Sequence, residues 1–316
     1  MNDFLISKLN NYYSKNDIDK IISNMQINKS IAFRLNYCRG DNKNVVEGEL
    51  KTKNIKFNIL NLKNELKKIY SDGLLIINSD INNFNITDYL DNDLFDFDFY
   101  VLALDEESKD AINNIKNDVI NLECYKKGYI YMQNPSTFLS ALMIEPKSND
   151  NILDMCAAPG GKSMMIQSIT NNTSNLTACE INNIRYEKMI YNFKLQNANI
   201  YSLNQDAREL NDNLKFDKIL VDVPCSGSGT FDVSNNNYEK YFTDFLIEKS
   251  VKRQISLLKK STKLVNNNGL IVYSTCSILN QENEEIIKCN NLKNWIYIKI
   301  LPTKIFEGFF ALKFNL

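Results

Sequence analysis

The sequence contains no histidine, one tryptophan, five prolines and no Cys-x-x-Cys pair. Without histidine there is no Ser-His-Asp triad, no Cys-His pair and no imidazole metal ligand. Acid–base work falls to Asp, Glu, Cys, Lys or Tyr. The seven cysteines are Cys38, Cys124, Cys156, Cys179, Cys225, Cys276 and Cys289. Their odd number and wide spacing argue against a disulfide framework and against a zinc site, so a reducing cytoplasm and no metal are expected. Long apolar runs are missing too: stretches such as residues 100–104 are too short to span a bilayer. The first thirteen residues mix polar and apolar positions and do not read as a signal peptide, so no membrane partner is expected.

What is present suffices for a packed protein. The length of 316 residues allows one large or two modest domains, and 44% apolar residues can fill a core. The net charge of −1 hides an asymmetry. Residues 80–123 hold twelve acidic side chains against Lys109 and Lys116, leaving a net charge of +9 on the rest. A face that binds a polyanion is compatible with that remainder, as is a scatter of solvated lysines.

Apolar spacing predicts helices over residues 1–28, 60–69 and 106–122, with strands at 30–37, 73–78, 99–104 and 128–132. The Asn/Asp-rich residues 79–97 read as a loop or insertion. This order suggests a small α+β unit of the split βαβ kind. From residue 150 the pattern alternates: strands at 151–156, 176–180, 200–203, 218–222, 269–274, 295–300 and 309–314, with helices at 162–169, 182–196, 239–265 and 281–288. Such alternation predicts a parallel sheet covered on both faces, with ligands at the carboxyl ends of its strands.

The residues at those ends carry chemistry. Asp154-Met-Cys-Ala-Ala-Pro-Gly-Gly-Lys162 runs from a buried strand through small residues into a helix. Gly160 and Gly161 would let a ligand approach the backbone closely. Glu180 closes the next strand, where a carboxylate can hold a ribose, and Asp206 after the third could hold an adenine amino group. A surface acid at a strand end is the plainer alternative. Cys225, in Asp222-Val-Pro-Cys-Ser-Gly-Ser-Gly-Thr230, and Cys276, in Tyr273-Ser-Thr-Cys-Ser277, sit where sheet ligands bind. Cys38, Cys124, Cys179 and Cys289 read as small buried hydrophobes, and Cys156 as loop packing near the ligand.

Together the segments DMCAAPGGK, VDVPCSGSGT and VYSTCS resemble the signature motifs of the RsmB/NOP2/Sun family of RNA cytosine-5 methyltransferases. Arg34 and Asn36, residues 128–133, Asn283 with Glu284, and Gly308-Phe-Phe310 add to the likeness, which runs from about residue 30 to 314. The resemblance implies S-adenosyl-L-methionine as methyl donor and a class I, Rossmann-like fold. Its sheet would have seven mostly parallel strands, the last antiparallel. It implies Cys276 as nucleophile, Cys225 assisting release, and Asp222 and Lys162 beside the cytosine. Cofactor binding would fall to Cys156, Ala157, Ala158, Pro159, Gly160, Gly161, Lys162, Glu180, Arg185, Asp206 and Asp222.

A thiol near pKa ~8.5 is mostly protonated at neutral pH, so the pocket must favour the anion. If protonated in a dry pocket, Asp222 could donate to ring nitrogen 3. The expected layout is a helical and RRM-like RNA-binding subdomain over 1–127 and a catalytic domain over 128–316, in a cytoplasmic monomer. RNA is the expected partner, ribosomal before transfer RNA, with Arg34 and lysines making contacts. A DNA cytosine-5 methyltransferase and a non-catalytic RNA-binding assembly factor are the rival readings. Residues 231–237 lack the arginine that family members often carry there.

Overall fold

A computed structural model describes residues 3–105, 108–233 and 242–315. Glu106 and Glu107, which begin the helix expected over 106–122, lie outside the described residues. So do 234–237 of the arginine-less loop and 239–241 of the helix expected over 239–265.

The chain opens with helices Asp3–Leu9 and Lys15–Gln26, the second capped by Ser14, whose hydroxyl accepts from the Asp17 N–H. Strands follow as β1 (Ile31–Leu35), β2 (Phe57–Asn61), β3 (Leu75–Ser79), β4 (Asp98–Leu102) and β5 (Ile130–Met132). The second half adds β6 (Asn151–Asp154), β7 (Asn175–Cys179), β8 (Ile200–Leu203) and β9 (Phe216–Asp222). It ends with β10 (Val265–Thr275), β11 (Trp295–Ile300) and β12 (Phe309–Asn315).

Two sheets form. The smaller has the order β2-β4-β1-β5 and is antiparallel throughout. With helices Lys43–Thr52 and Lys109–Asn121 it makes the βαββαβ connection, but from different pieces than the sequence suggests. Its second strand is β2, and its first helix is Lys43–Thr52, where no helix was expected. One face, with Phe33, Tyr100 and Ile130, packs on Val46, Leu50, Ile112 and Val119 of those helices. The opposite face, with Ala32, Phe99 and Val101, packs on Phe138 and Phe306 of the larger body. Both faces are therefore covered, so the four strands do not offer an open platform on which bases could stack.

Among the described residues the larger sheet has eight strands, ordered β3-β11-β12-β10-β9-β6-β7-β8, not seven. Strands β10, β9, β6, β7 and β8 are parallel neighbours, and β12 runs antiparallel to both β10 and β11. The eighth strand is β3, the GLLIIN segment expected in the small unit, which pairs antiparallel with β11. Thus β3 belongs with the catalytic half and β5 with the N-terminal sheet, so the chain crosses back and forth over the expected 127/128 boundary. Residues 79–97 are not a bare loop. They hold helix Ile86–Leu90 and a turn at Asp93–Phe95, anchored by buried Leu90 and Phe95. Their acids are engaged: Asp91 pairs with Lys67 and Asp93 with Lys63, while Asp80 accepts the N–H groups of Asn294 and Trp295.

Alternate residues of the central strands face two separate cores. Ile152, Leu220 and Val272 point to one face; Leu153, Ile219, Val221, Ile271 and Tyr273 point to the other. Helix Gly161–Ile169 covers the first face through Met164, Met165 and Ile166, and helix Asp244–Leu264 the second through Leu257, Leu258 and Leu264. Burial on both faces explains why these strands read as continuous apolar runs. The chain leaves β6 toward one face and β9 toward the other, and the crevice between their carboxyl ends is where such sheets bind ligands.

Candidate active site

Four side chains meet at that crevice. Asp222 ends β9 and Cys225 follows three residues later; Cys276 immediately follows β10; Lys162 stands on the first turn of helix Gly161–Ile169. The two sulfurs lie 3.1 Å apart as free thiols. Lys162 Nζ donates to Asp222 Oδ2 at 2.8 Å, and Ser274 Oγ donates to Oδ1 at 2.7 Å. Lys162 also lies 5.5 Å from the centre of the buried Phe309 ring. Burial works against the lysine's charge, but the Asp222, Asp154 and Cys276 groups outweigh it and hold its pKa above the ordinary value. Asp222 therefore acts as an acceptor here, facing an ammonium, and the proton available to a base is Lys162's.

The two thiols differ. Its hydrogen bond with Cys276, then burial, push the Cys225 thiol well above its ordinary pKa, with the Glu282 charge adding to the effect. Cys225 is thus held as a neutral thiol, next to a sulfur that shares its pocket with the Lys162 ammonium.

A polar cluster, of which only Asn283 stood out in the sequence, holds both cysteine loops. Glu282 is fully buried. It accepts from Ser226 N at 2.8 Å, Ser226 Oγ at 2.5 Å and Gln254 Nε2 at 3.1 Å. Ser228 and Ser277 hydroxyls meet at 2.9 Å, joining the loop after β9 to that after β10. Asn283 accepts from Thr275 Oγ1 and donates to Ser277 O. Its neighbour Glu284 is engaged elsewhere, 2.9 Å from the buried Lys299 ammonium. The only trace of the cluster in the sequence is the acid-and-amide run after the TCS segment.

Two glycines make the join possible. Gly229 donates to the Cys276 carbonyl at 2.9 Å and accepts from Gly308 N at 2.8 Å. A Cβ on Gly229 would lie 2.3 Å from the Gly308 oxygen.

Beside the thiols, a cavity of about 320 Å³ opens at the ends of β6, β7 and β8. Cys156, Glu180, Arg185 and Asp206 line it, with Met155, Pro224 and Leu257 as an apolar wall. Glu180 is only 3% exposed; its carboxylate accepts from Asn182 N at 2.8 Å and lies 3.3 Å from Arg185. Asp206 is clasped by Arg208, with Nε 3.0 Å from each oxygen, which pulls its pKa below the usual carboxylate range. An adenosine-sized ligand fits: the apolar wall suits a flat ring, and acids stand at two successive strand ends.

Ala157, Ala158, Pro159, Gly160 and Gly161 lie outside that wall. Ala157 N bonds to Cys179 O, Arg185 to Ala158 O, and Asn192 to Pro159 O. Gly160 sits at φ 103°, and a Cβ there would strike Phe193 at 2.5 Å. The glycine is thus required by its own backbone conformation and by the packing of Phe193.

Arg34 departs further from expectation. It is wholly buried, donating from Nε to Gln133 Oε1 at 3.0 Å and from an NH2 group to Gly161 O at 3.3 Å. Burial lowers its pKa to about 10. It ties β1 to the loop before Lys162 and is not placed to touch RNA. Cys289, expected buried, is exposed. Among the described residues no cluster of His, Cys, Asp or Glu could hold a metal ion, and no helix is long and apolar enough to cross a membrane.

Comparison with known proteins gives the family and the fold. A family model described as 16S rRNA methyltransferase RsmB/F matches residues 141–312. A tRNA (cytosine(72)-C(5))-methyltransferase of Pyrococcus horikoshii is 36% identical over 169 residues, 53% of this chain and 42% of that protein. The 25S rRNA (cytosine-C(5))-methyltransferase nop2 of Schizosaccharomyces pombe is 34% identical over 195 residues, 58% of this chain and 31% of that protein. The chain spans less than half the length of these curated relatives. Among solved structures, NSun6 from Pyrococcus horikoshii with SFG superposes with a TM-score of 0.71 at 19% identity. That match covers 99% of this chain and 97% of the other, and shows a common fold.

Proposed function

Because the chain belongs to the RsmB/F family of 16S rRNA methyltransferases, we propose that it methylates carbon 5 of a cytidine in RNA, using S-adenosylmethionine. The observation that carries this reading is the thiol pair beside the Lys162–Asp222 ion pair, at the mouth of a nucleoside-sized cavity. Ribosomal RNA as substrate follows the family model. Transfer RNA is the second reading, favoured by the Pyrococcus horikoshii relative.

Glu180 and Asp206 would hold the ribose and adenine ends of the cofactor, with Cys156 and Arg185 beside them. When bound, S-adenosylmethionine supplies an electrophilic methyl group. The protein must make cytosine carbon 5 nucleophilic, which it is not by itself. In this reading the Cys276 thiolate adds to carbon 6, opening the 5,6 double bond. Lys162 offers its proton to the ring as electrons move toward nitrogen 3, and Asp222 orients the lysine. Carbon 5 is then enamine-like and able to take a methyl group. Its proton leaves to water or through Cys225. Nitrogen 3 returns its proton to Lys162 as the carbon–sulfur bond breaks, the 5,6 double bond returns, and Cys276 leaves as the thiolate. The protonated state of Cys225 supports this division of labour, because a neutral thiol does not compete as the nucleophile. The target base must be unstacked or single-stranded to reach the pocket. With both faces of the small sheet covered, the N-terminal unit, RRM-like in strand order alone, would meet RNA along its rim.

Denaturing gels of each cysteine variant incubated with RNA and S-adenosylmethionine test the mechanism. Cys276→Ser should show no shifted band and no turnover. Cys225→Ser should show a nuclease-sensitive band, since addition proceeds and release stalls. The reverse pattern would assign the nucleophile to Cys225, as in the DNA-type mechanism. Methyl incorporation into neither ribosomal nor transfer RNA would favour a non-catalytic role.

A further inference from the structure

A second cavity, of about 440 Å³, lies between the Lys15–Gln26 helix, β1 and the loop after Cys225. Lys29, Ser30, Gln133, Thr230 and Glu307 are in its wall, and none of Lys162, Asp222, Cys225 or Cys276 is. It is therefore separate from the reacting groups, yet it adjoins them. Gly308, next to Glu307, bonds to Gly229, which in turn bonds to the Cys276 carbonyl. The Gln133 side chain lies against Gly161, the residue before Lys162.

Most polar groups in this wall are already engaged. Lys29 donates to the carbonyls of Asn24 and Thr303, and Gln133 accepts from Arg34 and donates to Thr137. Lys109 pairs with Asp232. The Glu307 carboxylate is different: it accepts no hydrogen bond from any described residue, and burial raises its pKa while Lys29 and Lys162 draw it down. Ser30 Oγ, close by in sequence to Lys29, is buried without a partner among the described residues. The carboxylate is partly exposed to the cavity, with both oxygens free to accept from a ligand that enters it.

The donor pattern that suits it is two adjacent N–H groups. Guanine presents that pair on its Watson–Crick edge, at N1 and N2. Adenine and cytosine set a single amino group beside an acceptor nitrogen, and uracil sets one N–H between two carbonyls. We propose that this cavity is a subsite for a guanine adjacent to the target cytidine in the RNA, with Glu307 accepting from its N1–H and N2 amino groups. The subsite makes Glu307 a specificity-determining residue, and it rests on the methyltransferase reading above.

The test uses short single-stranded RNAs with one cytidine, in which the base on each side is varied in turn through guanine, adenine and uracil, or through inosine, which keeps N1–H and lacks the N2 amino group. Guanine at one of the two positions should raise kcat/KM at least about tenfold over adenine or uracil, the range expected for a bidentate contact, with inosine between. Glu307→Gln should collapse that ratio, because its amide turns a donor toward one of guanine's donors. Equal rates across the series would overturn the subsite and leave the methyltransferase reading intact. A guanine preference unchanged in Glu307→Gln would overturn it as well. If no RNA in the series accepts a methyl group while ribosomal and transfer RNA also do not, the methyltransferase reading falls, and the subsite with it.

Discussion

Glu282 is the group whose replacement best separates architecture from chemistry. It is fully buried and touches neither sulfur by a hydrogen bond, yet it accepts three bonds from the two segments that frame Cys225. In Glu282→Ala the Ser226 N–H loses its acceptor, while Gln254 Nε2 loses one of two and keeps the Pro224 carbonyl at 3.1 Å. The Ser226 hydroxyl keeps a weak alternative in Ser277 Oγ at 3.5 Å. An orphaned Ser226 N–H at ~1–3 kcal/mol, with about 1 kcal/mol for the bond lost by Gln254, places the loss at about 2–4 kcal/mol of stability. Relief from burying a carboxylate draws it toward the lower end. Glu282→Gln keeps an oxygen for both N–H groups, and the Ser226 hydroxyl can turn to accept from the new amide, so its loss should be about 1 kcal/mol. Urea unfolding of the three proteins measures both values. Equal midpoints within about 0.5 kcal/mol for wild type and Glu282→Ala would refute the claim that this cluster holds the loop. A second readout follows from charge. The Glu282 carboxylate contributes to the raised Cys225 pKa, so Glu282→Gln should lower it. Site-resolved alkylation at fixed pH, read by mass spectrometry, should then run faster at Cys225 than in wild type; slower modification would contradict the electrostatic account.

Further outcomes follow from buried charge. Burial raises the Asp154 pKa to about 7, against ~3.9 in an unfolded chain, so the folded state keeps its proton in a range where the unfolded state has lost it. The stability this contributes is fully present below about pH 4 and is lost as pH rises through about 7. Asp154→Asn does not titrate and should therefore gain on wild type across that range, by several kcal/mol at pH 8, since each tenfold difference in proton affinity between the two states is worth about 1.4 kcal/mol; parallel pH–stability curves would count against it. Arg34→Ala should cost about 2–5 kcal/mol in urea unfolding, because buried acceptors on Gln133, Leu35 and Gly161 lose their donor and a large side chain leaves a void. It should leave the slope of RNA affinity against salt unchanged, and a slope reduced by about one would restore Arg34 to the RNA-contacting surface.

Sequence patterning alone determined the alternating half of the fold and the ends of its strands. Local signals suffice there: two-sided burial makes each parallel strand a continuous apolar run, and the small residues that let the chain turn sit directly after it. Asp222, Cys225, Cys276, Lys162 and Glu180 could be placed near one another for that reason, since every carboxyl end of a parallel sheet faces the same side. Strand partnership was not legible. The GLLIIN segment is an apolar strand in any setting, and only the exposed edge of β11 decides that it becomes the eighth strand of the large sheet. The same holds for single side chains. Arg34 reads as a surface cation until Gln133 and the Gly161 carbonyl close around it, and the packing of Phe193 that demands a glycine at 160 is visible only in the fold. Glu282 and Glu307 are two acids among many in the sequence. What distinguishes them, three accepted bonds in one case and none in the other, arises only when segments far apart in the chain are packed together, because burial and hydrogen-bond satisfaction are properties of neighbours in space.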